Sequence, residues 1–281
     1  MESPARIICF GAAHWDVIAR AAPGARGPDA PGFIETRAGG VALNVALGLA
    51  ARGASAALVS ARGDDAEGAA LAQALVAGGV DGAGLLIYGG APTGRYVAIE
   101  RADGELIAAV AETSALDAMA PAHLDLDPLK DAAMWFLDAN LPQAVIRALA
   151  CAPDRPPLSA DAVSQAKAAK LRPVLDRLDA IYCNRLEAEA ICATGLGAAR
   201  AAAEALAIRG ARRAIVTDGP APAADAGAHG VATLRPEQAP IRSATGAGDA
   251  LIAAHLAAWL GGAAPAQALA AGLAAARLRA A

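Results

Sequence analysis

The sequence predicts an α/β protein of three layers around a mostly parallel central sheet, and three observations carry that reading. Short apolar runs alternate with helical stretches along most of the 281 residues, the order that sets strands side by side with helices crossing over them. Apolar residues make up 56% of the chain, enough to bury both faces of such a sheet in one large domain and to argue against disorder. No internal repeat or linker interrupts the alternation.

Ile7 to Phe10 is a continuous apolar run closed by Gly11, as expected of a buried parallel strand. His14, Trp15 and Asp16 follow at its C-terminal end, where open α/β sheets bind ligands. Residues 20–36 are rich in Pro, Gly and Ala without periodicity and should cross the surface. Gly39 and Gly40 open a helix that runs to about Arg52 and stops at Gly53, and Asn44 in its otherwise apolar first turn asks for a partner. Ala56 to Ser60 reads as a strand, Asp64 or Asp65 as the cap of a helix reaching about Ala77, and residues 85–88 as a further apolar run. Arg95 to Glu100 and Glu105 to Val110 form a hairpin around Asp103-Gly104. An antiparallel hairpin inside a strand-helix series suggests a flap outside the main sheet. We therefore expect a single domain, 1–281, with a small β lid contributed by about 20–36 and 88–110.

From Ala132 the alternation returns: a strand at Met134 to Leu137, a helix after Pro142, a strand ending near Asp161, and a helix from Ser164. A strand at Ala180 to Cys183, helices near 185–193 and 197–209, and a strand at Ala214 to Thr217 complete the series. Ala250 to Ala276 is apolar but Ala-rich and broken by His255, Gly261-Gly262 and Pro265, so it reads as two buried helices and not as a membrane span.

Thr245-Gly246-Ala247-Gly248-Asp249 opens the first of those helices. Two glycines free the backbone to turn, and the amides of residues 246–249 face out of a helix N-terminus, an anion site. Asp249 sets a carboxylate where a phosphoryl group would come, awkward for a phosphate binder and suited to a general base of phosphoryl transfer.

The composition excludes several classes. Lys and Arg number 24 against 28 acids with no basic run, so no nucleic-acid surface is expected. Cys9, Cys151, Cys183 and Cys192 lack CxxC or His partners at ligand spacing and read as reduced core thiols, a cytoplasmic pattern. His123, His229 and His255 show no metal-like spacing and read as incidental. No signal peptide is expected from the short apolar run at 7–13.

Taken in order, Gly39-Gly40 with Asn44, the stretch Asn184-Arg185-Leu186-Glu187 and the loop Thr245 to Asp249 resemble the ribokinase family, also called PfkB-type carbohydrate kinases, across nearly the whole chain. Asp161 to Lys167, Asn184 to Glu189 and Tyr96 to Ala109 resemble its pseudouridine kinases in particular. The resemblance implies a ribokinase-like fold and a phosphotransferase using ATP and Mg²⁺, with a monovalent cation as a further cofactor. Asp249 is then the base, and the amides of Gly246, Ala247 and Gly248 the anion hole. Asp16, Gly39, Gly40 and Asn44 would hold the sugar or nucleoside, with Arg95 and Tyr96 on the flap reaching its base. Asn184 and, through water, Glu187 would organise Mg²⁺. Lys167, Thr217, Gly219 and Thr245 would meet the nucleotide.

The residue-level alternatives are a capping Asp at 249, an exposed helix-start pair at 184 and 187, a solvated Lys167 and a packing Tyr96. The sequence departs from the family at His14, where Asn is usual, at Pro222, and in ending at Ala281, where many relatives continue over the adenine. The resemblance also implies a homodimer formed through the lid. The implied reaction is transfer to the 5′-hydroxyl of a ribosyl nucleoside, pseudouridine first. The alternatives are a kinase for ribose, a ketohexose or a purine nucleoside, or a nucleoside-binding protein of weakened turnover. A phosphate-binding oxidoreductase is disfavoured, since no GxGxxG follows the first strand.

Overall fold

Ile7 and Cys9 point to one face of a sheet and Ile8 and Phe10 to the other, and all four are buried. That requires cover on both sides, and the computed structural model, which describes residues 4–24, 29–238 and 246–280, supplies it. In chain order the elements are β1 (Arg6–Phe10), β2 (His14–Ala21), β3 (Gly32–Gly39), α1 (Val41–Ala50), β4 (Ser55–Gly63), α2 (Ala66–Ala77) and β5 (Asp81–Tyr88). There follow β6 (Arg95–Glu100), β7 (Leu106–Glu112), the single turn α3 (Ser114–Asp117), β8 (Met134–Asp138), α4 (Gln143–Cys151), β9 (Leu158–Asp161) and α5 (Gln165–Ala168), which continues as a 3₁₀ stretch. The series ends with β10 (Ala180–Asn184), α6 (Arg185–Cys192), α7 (Ala199–Ile208), β11 (Arg213–Asp218), β12 (Ala221–Gly227), β13 (Gly230–Leu234), α8 (Ala247–Leu260) and α9 (Pro265–Ala280).

The large sheet has the order β13-β12-β11-β10-β9-β8-β1-β4-β5, and only β12 runs against the rest, so that its pairings with β11 and β13 are antiparallel. Helices α1, α2, α8 and α9 cover the Ile7–Cys9 face, and α3, α4, α6 and α7 cover the Ile8–Phe10 face, giving the expected three layers. From β1 the chain steps out to β4 and β5 on one side and later to β8, β9, β10 and β11 on the other. The switch point between β1 and β8 opens a crevice at the carboxyl ends of the strands, the position where such sheets bind ligands.

A second sheet, β3-β2-β6-β7, stands apart from the first. The hairpin expected around Asp103-Gly104 is its β6–β7 pair. The segment 20–36, expected to cross the surface and to add to the lid, contributes the end of β2 and most of β3, and the sheet begins as early as His14, before the expected bounds. Alternation was hidden there because one face is bare and Pro, Gly and Ala carry no pattern. Strands β12 and β13 were also missed. β12 is Ala-rich without a β-branched residue and β13 is only five residues long, and Pro222 sits where the β11–β12 ladder is irregular, a place that tolerates it. All four cysteines are free, but Cys151 is exposed instead of buried. No helix among the described residues is long and apolar enough to cross a membrane.

Candidate active site

The loop that opens α8 turns at Gly246, whose φ of 82° lies in the left-handed region, and Asp249 occupies the first turn of the helix. The carboxylate does not cap that helix, which sets aside the capping alternative. Its partner lies across the interface on α1, where Asn44 Nδ2 donates to Asp249 Oδ2 at 2.7 Å. The two helices approach closely because Gly48, one turn after Asn44, faces Ala253, one turn after Asp249; a methyl group at Gly48 would lie 2.7 Å from the Ala253 Cβ. Asn44 thus finds the partner its apolar setting demanded, although that partner is Asp249. Burial pushes the Asp249 carboxyl up to about 6; the Asn44 hydrogen bond and Arg279 pull it down, while Asp138 and Asp16 push it up. Such a group changes charge near the pH at which a base must work. Arg279, not anticipated from the sequence, lies against Gly246, with its Nε 3.2 Å from where a methyl group there would sit.

Asp16 on β2 is 5% exposed and faces the same region. Its carboxylate passes over Gly39, where a methyl group would come within 2.4 Å of Oδ2, so the bare glycine is what lets the acid sit there. Gly40 is the N-cap of α1, at φ 103°. Asp138 at the end of β8 is a buried carboxylate that the sequence reading missed; it accepts from the amides of Ala12 (2.9 Å), Ala42 (2.9 Å) and Asn140 (2.8 Å) and so ties β8 to the ends of β1 and α1. Burial raises its pKa and those amides lower it.

Asn184 and Glu187 form a capping box at the start of α6: Asn184 Oδ1 accepts from the Glu187 amide and Glu187 Oε2 from the Asn184 amide, both at 2.9 Å. The helix-start alternative therefore describes their hydrogen bonds. Both residues also line a cleft of about 170 Å³ with Asp161, Thr217, Gly248 and Asp249. Burial raises the Glu187 pKa, and burial together with Glu187, Asp249 and Asp138 holds Asp161 well above the usual carboxylate range. Among the described residues no three acids or imidazoles converge at direct metal-binding geometry. The mutual repulsion of these acids nevertheless fits a divalent cation, which Glu187 would help to hold and whose charge would offset theirs.

A second cavity of about 490 Å³ adjoins this cleft, sharing Thr217, Gly248 and Leu251 with it. Gly219, Ala223, Leu273 and Ala276 add apolar or small walls, and α9 closes one side with Arg277, which pairs with Glu237 at 3.3 Å. Its size and lining suit a nucleotide base and ribose. Two expected contacts are placed elsewhere. Lys167 Nζ donates to Asn140 Oδ1 at 2.5 Å and lines neither space. Arg95 forms a two-pronged pair with Glu67 on α2, with Nε at 2.8 Å from Oε2. Tyr96 remains on the sheet face that carries Asp16. Thr245 lies outside the described residues.

His255 is not incidental. It is fully buried on α8 between Tyr182, whose hydroxyl is 2.8 Å from Nδ1, and Asp225, 3.3 Å from Nε2. Arg213 completes the network through two bonds to Asp225, at 2.9 and 2.5 Å, and stacks on Trp259 at 4.6 Å. This chain of contacts fastens α8 to β10, β11 and β12. A lone His in an Ala-rich helix gave no sequence signal of its partners, because Asp225 and Arg213 lie on strands that were not foreseen or not read as polar.

A helix N-terminus with a perturbed carboxylate, a cleft of further acids and an adjoining nucleotide-sized cavity lie side by side on a ribokinase-like fold. Residues 4–281 match the pfkB family carbohydrate kinases, and the chain belongs to that family. It is accordingly a phosphotransferase acting on a hydroxyl group. The pseudouridine kinase of Escherichia coli (strain K12) is 27% identical over 265 residues, 91% of this chain and 84% of that protein. An uncharacterized sugar kinase of the same organism, YeiI, is 30% identical over 172 residues, 57% of this chain and 48% of its own length. Among solved structures, a carbohydrate kinase from Agrobacterium tumefaciens superposes with a TM-score of 0.83 at 29% identity, covering 97% of this chain and 89% of that one.

Proposed function

We propose that the chain phosphorylates the 5′-hydroxyl of a ribosyl nucleoside, with pseudouridine as the acceptor, using ATP and Mg²⁺. The observation that carries this reading is Asp249: a buried carboxylate, held by Asn44 at 2.7 Å, at the N-terminus of α8 and with its pKa raised to about 6. Asp249 accepts the hydroxyl proton as the acceptor oxygen bonds to the γ-phosphorus and the bond from that phosphorus to ADP breaks. The amides of Ala247 and Gly248 face the charge that grows on the transferred group. Mg²⁺ offsets phosphate charge when bound, and Asn184 and Glu187 lie where it would be organised. Asp16 accepts from the acceptor's vicinal hydroxyls, and Asn44 keeps Asp249 aimed at the third.

The kinase of pseudouridine among the relatives supports the nucleoside reading, and YeiI leaves a sugar acceptor as the second. The β3-β2-β6-β7 sheet acts as a lid that excludes water from the site. Its exposed Phe33, Ile34, Ile107 and Val110 support a homodimer through the lid. The free cysteines support a reducing, cytoplasmic setting. A coupled ADP-release assay over pseudouridine, uridine, adenosine, ribose and fructose tests the assignment. Preference for pseudouridine is expected; equal or better turnover of a free sugar would replace the nucleoside with that sugar.

A further inference from the structure

Two polar groups on the acceptor side stand beside Asp16 without a hydrogen bond to it. Strand β2 lies between β3 and β6, and the register sets Asp16 directly opposite Arg37 on one side and Tyr96 on the other. Residues paired across neighbouring strands project from the same face. Carboxylate, guanidinium and phenol therefore form one row across three strands, a span of about 10 Å at the usual strand spacing. His14, two residues before Asp16, shares that face. Glycines flank it: Gly39 is its partner on β3, and a methyl group at Gly94 would lie 3.1 Å from the His14 Cβ.

Neither Arg37 nor His14 is satisfied by Asp16. Arg37 Nε lies 3.7 Å from Asp16 Oδ2, beyond hydrogen-bond distance. His14 Nδ1 lies 3.2 Å from Asp16 Oδ1, yet it is buried and makes no hydrogen bond among the described residues. Buried polar atoms are almost always hydrogen-bonded, so His14 Nδ1 calls for a partner that a ligand can supply. Asp16, an acceptor only, suits the hydroxyls of a ribose. Arg37, a donor only, suits a carbonyl, and an imidazole nitrogen suits either half of an amide. Arg95, next to Tyr96 on β6, is excluded from this role by its pair with Glu67.

We infer that Arg37 and His14 are specificity-determining residues that read the amide edge of a ring attached to the ribose, so that the acceptor is a nucleoside with a lactam-type base and not a free pentose. The inference rests on the kinase reading above and sharpens it. The test compares kcat and KM for pseudouridine and for ribose in the wild type, Arg37→Ala, Arg37→Lys and His14→Ala. The ratio of kcat/KM for pseudouridine to that for ribose is expected to fall roughly tenfold or more in Arg37→Ala, mainly through KM. His14→Ala is expected to give a smaller fall, and Arg37→Lys to recover part of the loss. A ratio unchanged within about twofold in both alanine variants, or a wild type that prefers ribose, overturns the inference.

If the wild type phosphorylates neither compound, the kinase reading has failed, and calorimetric titration of pseudouridine decides this one. Binding weakened about tenfold by Arg37→Ala supports it. Absence of wild-type binding, or equal binding by the variant, rejects it.

Discussion

The two sheets of this protein are built on opposite terms. Every residue of β8 is buried, whereas every residue of β7 is exposed. The large sheet is covered on both faces, so the acids at its strand ends, Asp138 and Asp161, are held by backbone amides in fixed positions and are shifted by burial. The small sheet is covered on one face only. It meets the body through surface contacts such as Arg95 with Glu67 and the Trp15 indole with the Glu67 carbonyl at 3.1 Å. Chemistry that needs perturbed carboxylates belongs to the first environment, and a surface that must admit and release an acceptor belongs to the second.

The sharpest way to break that contrast is to remove charge from the rigid side. Asp249→Asn should lower kcat by ~10³-fold or more while calorimetric affinities for both substrates stay near wild type, as expected of a group that acts mainly in the transition state. The same variant should be more stable at pH 8. A carboxyl whose folded pKa is raised from 3.8 to about 6 keeps its proton longer in the folded state, so the wild type loses stability as pH rises through that window. The gain, on the order of 1 kcal/mol or more, should fade as pH falls toward 4 in urea titrations.

Next in size is the network beneath α8. Asp225→Ala leaves Arg213 buried without its carboxylate and should cost about 3–5 kcal/mol in denaturant unfolding. A milder probe is pH itself: kcat/KM should fall tenfold per unit below about pH 6 as Asp249 takes up its proton, and a profile flat to pH 5 would remove Asp249 as the base.

The smallest effects on stability belong to the lid. Val110 is 71% exposed on β7, so Val110→Glu should leave the unfolding midpoint almost unchanged while light scattering reports loss of a dimer. Glu67→Ala should likewise spare the midpoint, since exposed ion pairs contribute little, but should raise KM for the acceptor by loosening the lid.

Much of this was legible because the signals were local. The buried run at Ile7 to Phe10, the cap at Asp65, the Asp103-Gly104 turn and the glycine-rich start of α8 each follow from backbone preference within a few residues. Asp16, Asn44 and Asp249 could be singled out as polar groups at strand or helix ends, and Glu187 by the family resemblance of its stretch. What escaped had weak local pattern: β12, written almost wholly in Ala, Gly and Pro, the five-residue β13, and the strand character of β3, largely exposed.

The sequence by itself determined the layered fold and the turn that opens α8, because apolar alternation and glycine-freed backbone act over one or two turns of chain. Only the tertiary structure decided the partners. Asn44 and Asp249 are 205 residues apart, and what joins them is the close packing that Gly48 allows between α1 and α8. The register of three strands sets Arg37, Asp16 and Tyr96 in one row, and the fold gives Arg95 to Glu67 and Lys167 to Asn140 before any ligand can claim them. Such pairings depend on distances across the folded chain, which no local preference encodes.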